Sequence, residues 1–128
     1  MNKDKFNRLV RSMGEALEKL NLRKINALVA EHVLEIPVED HGFSRFTVKV
    51  GSSKLAVPPY STDIAAAWDV VEKLKGDEGV ALNSGDFPDY GEGWHCMFDY
   101  PHSAYADTAP LAICLAALKS RGVLLEDN

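Results

Sequence analysis

Along the N-terminal stretch, Phe6, Leu9, Val10, Met13, Leu17 and Leu20 recur at helical spacing between Lys, Arg and Glu, which predicts an amphipathic helix over residues 1–20. A second helix follows: Asn21 is placed to cap it, Ile25, Leu28, Val29, His32, Val33 and Leu34 give it an apolar face, and Pro37 closes it. The period then changes. In 44-SRFTVKV-50 the residues Phe46, Val48 and Val50 alternate with polar partners, and 51-GSS-53 is a turn signal before the short run Leu55–Val57, so this region reads as a hairpin.

The segment 58-PPYSTDIAAAWDVVEKL-74 supplies a third helix. Ile64, Ala67, Trp68, Val71 and Leu74 form one stripe, Asp63 sits where the positive end of the helix dipole favours an acid, Lys73 and Lys75 sit at the other end, and Gly76 stops the helix. That stripe places Trp68 in the core, where Trp68→Ala would cost about 3–5 kcal/mol. Val80–Asn83 and Gly93–Tyr100 read as strands joined by the loop 84-SGDFPDYGEG-93. The last helix, Thr108–Ser120, is capped by Asp107 or Thr108, carries Pro110 in its first turn and ends at Gly122. It is apolar nearly all round and should therefore be central. The order of elements gives an α+β domain with a small, mostly antiparallel sheet and helices packed on it. Residues 21–128 form one domain, and residues 1–20 either join it or make an oligomer contact, which makes a homo-oligomer the expectation.

Composition narrows the function classes. A chain of 128 residues with 46% hydrophobic and 26% charged residues buries its own core. The net charge of −5 argues against bulk binding to DNA or RNA, which requires a basic surface. Cys96 and Cys114 lack metal-ligand spacing and read as reduced, buried thiols of a cytoplasmic protein. The N-terminus has no uninterrupted hydrophobic region of the secretory kind, and the apolar run 110-PLAICLAAL-118 is too short for a bilayer, which takes about 20 residues.

The candidate chemistry is binding rather than catalysis. No Walker-type glycine loop, G-x-S-x-G elbow, H-E-x-x-H or paired cysteine motif occurs. His32, His41, His95 and His102 are scattered; His95 and Asp99 share a strand face, with His102 beyond Pro101 in a loop. No catalytic residue, metal or cofactor is therefore expected. Aromatics are more suggestive: Tyr60, Phe87, Tyr90, Trp94, Phe98, Tyr100 and Tyr105 crowd the loops and strand beside two capped helix starts. Free N–H groups at a helix start attract anions and aromatic faces stack on bases, so Tyr60, Ser61, Thr62, Asp63, Trp94, Tyr105, Asp107 and Thr108 are the candidate ligand-binding residues for a nucleotide-like molecule. Each also has a plainer role, Ser61 and Thr62 as caps and Trp94 as core. The acids Asp86, Asp89, Glu92, Asp99 and Asp107 would repel phosphate unless Arg45, Lys49, Lys54 or Arg121 offset them; they would instead suit a protein partner with a basic face.

The segment 60-YSTDIAAAWDVVEKL-74, a following strand that holds Trp94, and 106-ADTAPLAICLAALK-119 together resemble the phage ABA-sandwich domain family, and are similar also to the lambdoid phage NinX-like proteins. The resemblance spans residues 22 to 122, including 26-NALVAEHVL-34, and leaves out residues 1–20 and 37-PVEDHGFSR-45. It implies an α/β/α sandwich and a phage or prophage accessory protein working in the bacterial host cell. It raises the expectation of an anti-defence role: sequestering a small nucleotide-like ligand such as a host immune signal, or alternatively inhibiting a host defence protein through the acidic aromatic loop 84–105. It assigns no reaction to any matched residue.

Overall fold

The structure, a computed structural model, describes residues 22–43, 45–76, 79–99 and 102–123. The predicted helix over residues 1–20, the Asn21 cap, Tyr100 and the oligomer contact expected of the N-terminal helix lie outside these residues.

Helix α1 runs over residues 22–28 in α geometry and continues through Val29–Val33 as a wider π turn. The Leu34 N–H donates to the Val29 carbonyl at 3.1 Å and the Ile36 N–H to the Ala30 carbonyl at 2.9 Å, which satisfies carbonyls that the helix end would otherwise strand. Ala27, Val29, Ala30 and Val33 are buried. His32, expected on the apolar face, is exposed instead, because the buried stripe runs one position to its side.

Three strands follow as a meander: β1 (Val38–Asp40), β2 (Phe46–Val50) and β3 (Ser53–Ala56), all antiparallel. The β2–β3 hairpin matches the sequence expectation. Strand β1 was not expected, because Glu39 and Asp40 carry no strand signal; it forms by pairing Val38 with Val48 and Asp40 with Phe46. Val48 is the buried anchor of this sheet.

Helix α2 (Ile64–Leu74) buries Ala67, Val70 and Val71, while Ile64 and Trp68 remain 49% and 46% exposed. The predicted stripe is thus rotated by part of a turn. A stripe centred on Trp68 and one centred on Val70 both satisfy helical spacing, and contact with α1 and α3 selects the one made of small side chains. Trp68 is not core. Trp68→Ala should therefore cost about 1 kcal/mol or less, as surface substitutions do, and its thermal melt should stay within a few degrees of the parent.

The second sheet is built from β4 (Ala81–Phe87), β5 (Gly91–Asp99) and β6 (His102–Ala106) in antiparallel order. The expected loop 84–93 is mostly strand, since Ser84 to Phe87 pair with Trp94 to Gly91 and leave only residues 88–90 as the tip. His102 belongs to β6, paired with Asp99, and not to a loop. Helix α3 (Ala109–Ser120) packs across β5 and β6 on one side and against α1 and α2 on the other. Its Ala112, Ile113, Cys114, Ala116, Ala117 and Leu118 are all buried, which explains why it reads as apolar all round. The fold is an α+β sandwich with two three-stranded antiparallel sheets rather than the one small sheet expected. No helix among the described residues is long and apolar enough to cross a membrane.

Candidate functional site

The eight sequence-predicted site residues fall into two places. Tyr60 is 2% exposed and Ser61 1% exposed, so both belong to the core. The turn that holds them is closed by the Tyr60 N–H on the Pro58 carbonyl and by the Thr62 and Asp63 N–H groups on the Pro59 carbonyl. Asp63 is the N-cap of α2, its carboxylate accepting from the Ala65 N–H at 2.9 Å. Tyr60 offers no face to a ligand; burial raises its phenol pKa, with the nearby Asp69 and Cys114 adding to the effect. The expectation that Tyr60 stacks on a bound molecule is corrected: its ring lies in the core cluster instead.

Trp94, Tyr105 and Asp107 do come together, at the β5–β6 end of the second sheet. With Phe87, Tyr90, Gly91, Glu92, Gly93 and Ala106 they enclose a cavity of about 140 Å³. Tyr90 lies flat on Tyr105, ring centroids 4.0 Å apart and planes 7° from parallel, and Phe87 meets Tyr105 edge-on at 5.0 Å. Gly93 is required here, since a Cβ would fall 2.6 Å from the Ala106 carbonyl oxygen. Thr108 stands next in the chain as the N-cap of α3, its hydroxyl accepting from the Leu111 N–H at 3.4 Å. Phe98 is core. His95 packs on Tyr105 at 4.5 Å and meets Asn83, and among the described residues no cluster of His, Cys, Asp and Glu has the arrangement to hold a metal ion.

A larger cavity, about 490 Å³, opens between α1 and the β1–β3 meander. Helix α1 contributes Arg23 and Asn26; the β1–β2 connection contributes His41 and Arg45; Phe46, Thr47, Ala56 and Val57 complete the walls. Hydrogen bonds tie the described residues of the connection together. The Asp40 carboxylate accepts from the Gly42 N–H at 2.8 Å, the His41 N–H donates to the Arg45 carbonyl at 2.8 Å, and Gly42 supplies the left-handed φ of 86° that the turn demands. His41 Nε2 lies 2.9 Å from the Thr47 hydroxyl. Asn26 reaches the other way, its side-chain oxygen accepting from the Ser61 N–H at 2.8 Å, so the core turn at residue 61 braces the cavity wall.

The electrostatics of the two cavities are opposite. The larger has two arginines and a histidine and no carboxylate among its lining residues. Glu39 stands behind His41 at 3.8 Å and is engaged by Lys54 at 3.2 Å. Among the described residues, neither Arg23 nor Arg45 forms an ion pair within 4.0 Å. The smaller cavity carries Glu92 and Asp107 and no cation among its lining residues. Sequence reasoning named Arg45 only as a possible offset to acids and did not place Arg23, His41 and Phe46 together. The one available signal was the Arg45-Phe46 pair at the start of an alternating strand.

The phage ABA sandwich domain matches residues 27–118, and the chain belongs to that family. It is similar to a phage protein from Bacillus cereus ATCC 14579, known from a crystal structure: the two are 32% identical, the match covers 81% of this chain and 90% of that one, and the TM-score is 0.65. No curated protein matches the chain.

Proposed function

We propose that this phage domain binds a nucleotide-like, anionic small molecule in the cavity between α1 and the meander, and that it acts by sequestering that molecule, as an anti-defence protein would hold a host signal. The observation that carries the reading is the concentration of Arg23, Arg45 and His41 around a cavity of about 490 Å³ in a chain of net charge −5. Ligand cavities commonly span roughly 300–1,000 Å³, so a single nucleotide fits by size. Guanidinium groups present paired donors that match phosphate oxygens, Phe46 offers an aromatic wall for a base, and Thr47 offers a polar contact. None of the eight residues inferred from sequence lines this cavity, and in this reading the anion meets side-chain cations rather than a helix start.

Calorimetric titration with adenosine and guanosine mono-, di- and 3′,5′-cyclic phosphates, alongside melting curves, tests this. At least one should raise the melting temperature, and at 100 times its Kd the gain corresponds to about 2.7 kcal/mol. Arg45→Ala should weaken that ligand by about 10- to 100-fold, since a charged hydrogen bond contributes about 1.5–3 kcal/mol, and leave the melting curve of the free protein in place. Absence of any shift, or parent-like affinity in an Arg23→Ala/Arg45→Ala double variant, overturns the proposal.

A further inference from the structure

The smaller cavity has a size, shape and charge that the anion site does not explain. At about 140 Å³ it is well below the usual range for a nucleotide, and its Glu92 and Asp107 disfavour phosphate. Its lining includes four aromatic residues, Phe87, Tyr90, Trp94 and Tyr105, together with Gly91, Gly93 and Ala106. Tyr90 is 66% exposed at the tip of the β4–β5 hairpin, continuous with the aromatic lining of the cleft. Asp86 and Asp89 flank the same hairpin and extend the negative field around it.

We infer that this cleft receives an arginine side chain presented by a protein partner with a basic surface. A guanidinium is planar, stays charged, stacks on aromatic faces and pairs with carboxylates through two parallel N–H groups; the face of Tyr90 turned away from Tyr105 and the carboxylates of Glu92 and Asp107 are the surfaces that match it. Lysine matches the charge but not the plane or the paired donors. The occupant is a side chain and not a whole molecule, because the volume admits one head group while the partner's backbone stays outside, along the exposed hairpin. The site is separate from the anion cavity, which is built from other elements.

Titration of the full chain with a hexa-arginine peptide and a hexa-lysine peptide at one low ionic strength tests the inference. Hexa-arginine should bind several-fold more tightly than hexa-lysine. Tyr90→Ala and Asp107→Asn should each weaken hexa-arginine by about 10-fold, while Glu72→Gln on α2, which removes the same unit charge outside the cleft, should change it by less than 2-fold. Tyr90 is exposed, so its removal leaves the fold intact, and nucleotide binding in the Tyr90→Ala variant should match the parent. Failure of the parent to bind hexa-arginine, equal affinity for the two peptides, or an equal loss in Glu72→Gln would each overturn the assignment and leave only bulk attraction.

Discussion

Tyr60→Ala should destabilise the domain by about 3–5 kcal/mol, a large share of the roughly 5–15 kcal/mol that holds an ordinary domain folded. The ring is 2% exposed and packs in the core cluster with α1, α2 and α3, so truncation leaves a cavity that three helices cannot easily close. The loss also reaches the surface, because the same turn holds the Ser61 N–H on Asn26, a wall residue of the larger cavity. Chemical denaturation should therefore show a much lower midpoint for Tyr60→Ala, and Tyr60→Phe, which keeps the ring, should recover most of the difference. A Tyr60→Ala variant that melts like the parent would place the ring at the surface and restore it as a ligand contact.

The second large effect is an alkaline limit set by the core. Burial pushes both thiols up from 9.0 to about 12, Cys114 with a further contribution from Cys96. Below the unfolded value near 9.0 the thiols are neutral in both states and pH has little leverage through them. Above it the unfolded chain releases protons that the folded chain retains, so stability falls as pH rises from 9 and is lost through about 12. Two such groups give up to about 3 kcal/mol per pH unit in that window, and the raised phenol of Tyr60 acts in the same direction. Denaturation midpoints should hold steady from pH 7 to 8 and drop steeply above 9, and Cys96→Ala/Cys114→Ala should flatten the slope whatever it does to absolute stability. The folded parent should also resist thiol reagents at pH 8, reacting only as fast as it opens.

Placement of residues in helices was largely legible because helical periodicity and caps are local. Asp63, Thr108, Pro110 and Gly122 act through neighbours within a turn, and the structure has them at the ends of α2 and α3 as read. The all-round apolar character of α3 announced a helix covered on every side, and it lies between sheet and helices. The face of α2 was not legible. Trp68 and Val70 lie on stripes of comparable hydrophobicity, and the choice depends on what shape α1 and α3 present. Strands β1 and β6 escaped notice for a related reason: Glu39, Asp40 and His102 are strand residues only because a partner supplies the ladder hydrogen bonds.

The site divides along the same line. By itself the sequence determined the class of the fold, the position of three helices and the β2–β3 hairpin, because each of these rests on spacing within one or two neighbouring elements. Tertiary structure alone decided that Tyr60 turns inward, and that Arg23 from α1 meets Arg45 and His41 from the meander across a shared cavity. Arg23 and Arg45 belong to different elements, well apart along the chain. Only the placement of α1 beside the meander brings the two guanidinium groups to one cavity, and no local pattern records it.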